Sequence, residues 1–119
     1  MRIVANLLVA AVAALHVYFL TLEMFLWRRP LGRRVFGTTE AQAESTATLA
    51  ANQGLYNGFL AAGLVWSLLA PAALRAPLAT FFTVCVIVAG IFGAITVSRR
   101  ILVVQALPAA LALAAVWLS

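Results

Sequence analysis

The sequence predicts an all-α integral membrane protein, a four-helix bundle built by one domain of residues 1–119. Of its 119 residues 66% are hydrophobic and 9% are charged, whereas soluble domains are about a quarter charged. The apolar residues form four continuous runs, each close to the ~20 residues that a helix needs to cross a bilayer. Because the runs are continuous and not alternating, strands are disfavoured. The runs cover residues 3–27, 47–70, 78–97 and 101–118.

The first run predicts a helix over about 3–27. It is much longer than the 7–15 apolar residues of a signal peptide and it ends in arginines, so we expect it to be a spanning helix and not a cleaved signal. A basic loop over 28–39 follows. Thr39 and Gln42 have the spacing of a capping box, which predicts that the second helix begins near residue 40 and runs to about residue 70.

Two short turns connect the remaining helices. Pro71 is expected to end the second helix, and a turn containing Arg75 and Pro77 leads to a third helix over 78–97. The turn at residues 98–100 then leads to the fourth helix, over 101–118.

The charge distribution predicts the orientation in the membrane. A net charge of +5 raises the possibility of nucleic-acid binding, but six of the eight arginines lie in the 28–46 loop and the 98–100 turn, beside apolar runs. Such placement is typical of topology signals, so we expect membrane lipids, and no nucleic acid, as partners. Only Arg2 and Arg75 fall on the other side. The excess predicts a cytoplasmic 28–46 loop and both termini outside.

Two ionisable residues interrupt the first helix. His16 and Glu23 are seven residues apart, which places them about 20° apart around the helix and roughly 10 Å apart along it. Ionisable side chains within a span usually face the interior of the bundle and mark functional sites. A structural role is the alternative, with His16 hydrogen-bonded to a neighbouring helix and Glu23 paired with Arg28 or another loop arginine near the interface.

The second helix carries an unusual polar stripe. Asn52 and Tyr56 lie one turn apart, as do Gln53 and Asn57, and together they cover about 140° of the helix. Four polar side chains are more than interhelical packing requires. With Gln105 on the fourth helix, they predict a polar cavity in the cytoplasmic half of the bundle. The predicted ligand-binding residues are His16, Glu23, Asn52, Gln53, Tyr56, Asn57 and Gln105.

Small residues follow the opposite side of the same helix at intervals of four. This ridge predicts close packing of two helices, either within the bundle or between the protomers of a homo-oligomer. Its members are Ala50, Gly54, Gly58 and Ala62.

Three segments resemble a known family. The strings LHVYFLTLEMFLW (15–27), RRVFG (33–37) and ANQGLYNGFLAAG (51–63) are similar to those of the small membrane proteins grouped as domain of unknown function 1304. The resemblance covers nearly the whole chain. It implies four helices and a bacterial inner-membrane location, and it implies no particular activity. The family motif residues present here are His16, Glu23, Asn52, Gln53, Tyr56, Asn57 and Gly58.

Three functions remain open from the sequence. The first is binding of, or catalysis on, a small lipid-like or amphipathic molecule, with His16 and Glu23 as candidate proton-transfer groups. The second is proton-coupled transport of a small solute through Glu23. The third is a structural or accessory subunit of a membrane complex. We expect no cofactor and no metal, because His16, Glu23 and Glu44 are too dispersed for a recognised ligand spacing.

Overall fold

The computed structural model describes all residues from Met1 to Ser119, and the chain is all-α. It has five helices and no strand. A π-helical segment directly precedes the fifth helix. The helices are α1 (Arg2–Met24), α2 (Pro30–Phe36), α3 (Glu40–Leu69), α4 (Ala72–Thr96) and α5 (Leu107–Leu118), with the π-helical segment at Leu102–Ala106.

The chain divides into two compact units, here called the terminal unit (Met1–Ala14 with Leu60–Ser119) and the central unit (Leu15–Phe59). The terminal unit contains α4, the π-helical segment and α5, together with residues 2–14 of α1 and 60–69 of α3. Its core consists of aliphatic side chains that are almost completely buried, most of them alanine or valine. These core residues are Val9, Val12, Ala13, Leu64, Ala79, Val86, Ala109 and Ala112.

The segment expected to be a basic loop contains the short helix α2. Pro30 begins this helix, where its missing N–H costs no hydrogen bond, and Gly37 ends it with a φ of 67°. Gly32 is buried because the helix lies directly on the preceding chain: a Cβ at this position would come within 2.0 Å of the carbonyl oxygen of Leu26. The sequence carries the Pro and Gly signals for this helix.

The start of α3 confirms the predicted capping box. The Thr39 hydroxyl accepts a hydrogen bond from the Gln42 N–H at 3.1 Å, and the Gln42 side chain accepts one from the Thr39 N–H at 2.9 Å. The two bonds satisfy two backbone donors that a helix start leaves without partners.

Helix α4, which the sequence predicts as the third helix over 78–97, begins earlier than its apolar run indicates. It starts at Ala72, so Pro77 lies inside it. Pro71 takes an extended conformation just before the helix, and the Arg75 side chain donates to the Ala70 carbonyl oxygen at 2.9 Å. Pro77 lies in the second turn of this helix, near its N-terminal end.

A π-helical segment precedes Pro108. Proline cannot donate to the carbonyl four residues earlier, and its ring pushes that carbonyl aside. The chain widens over Leu102–Ala106, and the Leu107 N–H bonds to the Leu102 carbonyl, five residues back. The wider π-helical turn thus accommodates the hydrogen bond that Pro108 cannot donate. Ala106 contacts Gly90 of α4, where an added Cβ would lie 2.7 Å from the Ala106 nitrogen.

Two helices, α1 and α4, are long and apolar enough to cross a membrane. The apolar stretch Leu102–Leu118 is shorter. With 30 residues, α3 is the longest helix, but it carries Glu40, Glu44 and the polar stripe, which make it less apolar than the other two.

Candidate functional site

The central unit brings α1 and α3 together at two glycines. A Cβ at Gly54 would lie 2.7 Å from Cγ of Met24 and 3.1 Å from Cβ of Glu23. A Cβ at Gly58 would lie 2.7 Å from Cδ1 of Leu20. These glycines of the predicted ridge therefore pack against α1 within the chain, where their small size allows the two helices to approach closely. The outer ridge members differ, since Ala50 is buried and Ala62 is exposed.

This close approach places Glu23 and Asn57 in contact. The Asn57 amide donates a hydrogen bond to Oε1 of Glu23 at 2.5 Å. Glu23 is only 6% exposed. A carboxylate removed from water requires a hydrogen bond, a cation or a proton, and here its side-chain partner is a neutral amide.

The arginine that follows α1 has a different partner. Arg28 pairs with both carboxylate oxygens of Glu44 at 3.3 Å. Both side chains are well exposed, at 63% and 69%, so the pair contributes little to stability. Arg28 therefore does not neutralise Glu23.

A cavity of about 550 Å³ lies beside Glu23 within the central unit. Its wall contains two carboxylates and two guanidinium groups, together with aromatic and small side chains. The residues that line it are Glu23, Met24, Phe25, Trp27, Arg28, Arg29, Glu44, Ala47, Thr48 and Ala51. A buried carboxylate at the edge of a mixed polar and apolar cavity is an arrangement that can bind the polar end of an amphipathic molecule.

Trp27 anchors the wall of this cavity. Its indole N–H donates to the Thr46 hydroxyl at 3.1 Å, and its ring lies 4.9 Å from that of Phe36. The indole thus connects the chain after α1 both to the first turns of α3 and to α2. Sequence reasoning missed the wall contributed by α3, although Glu44 and Thr48 are one helical turn apart and share a face.

The structure joins some of the predicted site residues and not others. Glu23 and Asn57 are in contact, whereas Asn52, Gln53 and Tyr56 lie exposed on α3. The Tyr56 side chain is 55% exposed.

His16 and Gln105 lie elsewhere. His16 is completely buried, and its ring meets that of Phe19 edge to face at 5.5 Å. It stands two turns before Glu23 on α1. Gln105 belongs to the terminal unit, within the π-helical segment. No group of three or more His, Cys, Asp or Glu side chains is placed to hold a metal ion.

Comparison with known proteins identifies the family and leaves its activity open. The family model described as protein of unknown function (DUF1304) matches residues 10–117. The chain is also 30% identical over 115 residues to the uncharacterised protein YpaA of Lactococcus lactis subsp. lactis (strain IL1403), covering 95% of this chain and 96% of that protein. No solved structure shows a significant match. The match over almost the whole chain places this protein in the DUF1304 family.

Proposed function

We propose that this protein is a multi-pass membrane protein that binds a small amphipathic molecule through Glu23, whose side chain Asn57 holds in position. The observation that carries the proposal is the carboxylate of Glu23, which is 6% exposed, paired with a neutral amide and adjacent to a cavity of about 550 Å³. Buried ionisable groups of this kind in apolar proteins are usually kept for function, because burial is costly for stability.

The membrane part of the proposal assigns four spans. The apolar α1 and α4 support two of them. The other two are the apolar part of α3, over 47–70, and the stretch Leu102–Leu118. The arginine excess supports a cytoplasmic 28–46 loop and external termini. We further propose that the membrane is the bacterial inner membrane.

The chemistry of the cavity supports an occupant with both polar and apolar parts. Glu23 accepts hydrogen bonds or a positive charge, while Phe25 and Trp27 offer aromatic surface. Arg28 and Glu44 already neutralise each other at the wall. A polar group bound to Glu23 with an apolar tail against the aromatic rings would satisfy both parts of the lining.

Native mass spectrometry of the full chain in mild detergent tests the proposal. We expect the wild-type protein to retain a small molecule and Glu23→Gln to lose it, because glutamine keeps the hydrogen bond from Asn57 but cannot ionise. Glu40→Gln is the matched control: it makes the same change in the first turn of α3, at a residue that does not line the cavity. Retention of the same molecule by Glu23→Gln would contradict the proposal.

An accessory subunit is the second candidate. It is favoured by the exposure of Asn52, Gln53 and Tyr56 on α3, because polar side chains on a spanning helix are normally covered by protein. A photo-crosslinking residue at position 56 distinguishes the two candidates. Crosslinks to one other membrane protein support the subunit, and crosslinks to lipid alone count against it.

A further inference from the structure

The terminal unit contains a second cavity, of about 180 Å³, that the proposed function does not use. Its lining includes Arg2, at the start of α1, and Arg75, in the first turn of α4. These are the two arginines that lie outside the basic loop and the turn at 98–100. The fold of this unit thus brings two arginines that are far apart in the sequence to one cavity.

The rest of the lining favours an anion. Asn6 and the buried Ser67 contribute polar side chains, and most of the other lining residues are alanine, valine or leucine. No Asp or Glu lines the cavity, and no carboxylate forms an ion pair with Arg2 or Arg75. The other side chains of the lining, that of Ser119 among them, are uncharged, and neither guanidinium group is engaged in an ion pair.

The Arg75 guanidinium is already held in place. Its Nε donates to the Ala70 carbonyl oxygen at 2.9 Å, which leaves its two terminal nitrogens as donors. Neither α1 nor α4 has an acidic residue in its first turn. Both arginines therefore lie in first helical turns that carry no acidic side chain to pair with them.

We propose that this cavity binds a phosphate group through Arg2 and Arg75. Guanidinium groups bind phosphate oxygens through paired hydrogen bonds, and a volume of about 180 Å³ suits a headgroup or a free ion and not a large ligand. The phosphate has two possible sources, an anionic lipid headgroup or inorganic phosphate.

The test compares two double variants with the same change in charge. Arg2→Gln with Arg75→Gln removes the proposed site, whereas Arg99→Gln with Arg100→Gln removes two positive charges beyond the opposite end of α4, a helix of 25 residues. The measurement is the thermal unfolding midpoint of the full chain in detergent. Phosphatidylglycerol, phosphatidylcholine and inorganic phosphate are added separately as probes.

We expect phosphatidylglycerol to raise the midpoint of the wild type and of the Arg99/Arg100 control, and the Arg2/Arg75 variant to need at least a tenfold higher lipid concentration for the same shift. A shift with inorganic phosphate alone would support the site and assign it to free phosphate. An equal loss in both double variants, or a wild-type midpoint that neither phosphatidylglycerol nor inorganic phosphate raises more than phosphatidylcholine does, would overturn the proposal. If the double variant fails to fold, Arg2→Gln alone provides the same comparison against Arg99→Gln.

Discussion

At the scale of single residues, the contact between Glu23 and Asn57 is the most informative. Each residue is out of place in an apolar helix, so each is recognisable in the sequence as costly to bury. Their pairing follows from Gly54 and Gly58, which let α1 and α3 approach closely. Arg28 is paired with Glu44, and Arg29, which also lines the cavity, forms no ion pair with Glu23. A neutral amide is therefore the side-chain partner of the buried carboxylate.

Replacing the amide should destabilise the protein. We expect Asn57→Ala to lower the free energy of unfolding by about 1–3 kcal/mol, because it leaves a buried acceptor without its donor. Asn52→Ala makes the same chemical change at an exposed position of the same helix and should have a much smaller effect. Denaturation of the two variants in the same detergent gives the comparison, and equal losses would show that the Glu23 contact is not the cause.

At the scale of helices, local sequence signals decide where α2 and α3 begin and end. Pro30 and Gly37 bound α2, and Thr39 with Gln42 caps α3. These signals act between residues close in the chain, which explains why the capping box could be predicted from spacing alone. The early start of α4 was harder to predict, because Pro77 normally indicates a boundary.

The capping box provides a matched pair of substitutions. Thr39→Ala removes a hydroxyl that accepts the Gln42 N–H and should cost about 0.5–2 kcal/mol. Thr38→Ala removes a neighbouring hydroxyl that is buried without a hydrogen-bond partner, so its loss should be nearly neutral. Thermal unfolding of both variants tests this, and a larger loss for Thr38→Ala would contradict it.

Glycines at two helix contacts should respond differently to the same substitution. A Cβ at Gly90 meets the backbone nitrogen of Ala106 at 2.7 Å, whereas a Cβ at Gly58 meets the end of the Leu20 side chain at the same distance. The backbone cannot move aside cheaply, so Gly90→Ala should destabilise the protein by about 1–3 kcal/mol.

Thermal unfolding of both variants gives the comparison. The stability of Gly58→Ala should be close to that of the wild type, since Leu20 can change rotamer and alanine is the better helix former. Gly58→Leu should destabilise strongly, because its branches extend toward α1. Equal behaviour of Gly90→Ala and Gly58→Ala would show that backbone crowding at Ala106 does not control this contact.

At the scale of the whole molecule, composition and the placement of charges predict how the chain is oriented in a membrane. A chain that is 66% hydrophobic and carries six of its eight arginines in two clusters is expected to have one preferred orientation in a bilayer. Two helices have the length and apolar character to span it, and the proposed topology adds two more spans.

Cysteine labelling measures this topology directly. In a Cys85→Ala background, which removes the natural thiol, Ser45→Cys should react with a membrane-impermeant reagent only from the cytoplasmic side. Ser119→Cys should react from the outside. Both positions are exposed, so reagent access does not limit the reaction. The opposite labelling would overturn the assigned orientation.

Composition, motif strings and short-range spacing were enough to predict the all-α class, the family and the capping box at α3. They also identified which residues are too polar for an apolar helix. These features depend on composition or on residues a few positions apart, where helix geometry fixes the neighbours. The contact of Glu23 with Asn57 and not with Arg28, and the packing of Gly54 and Gly58 against α1, became visible only in the folded chain. The fold likewise brings Arg2 to the same cavity as Arg75. Such contacts join distant parts of the chain, and they depend on how closely two helices approach, which the spacing along one helix does not specify.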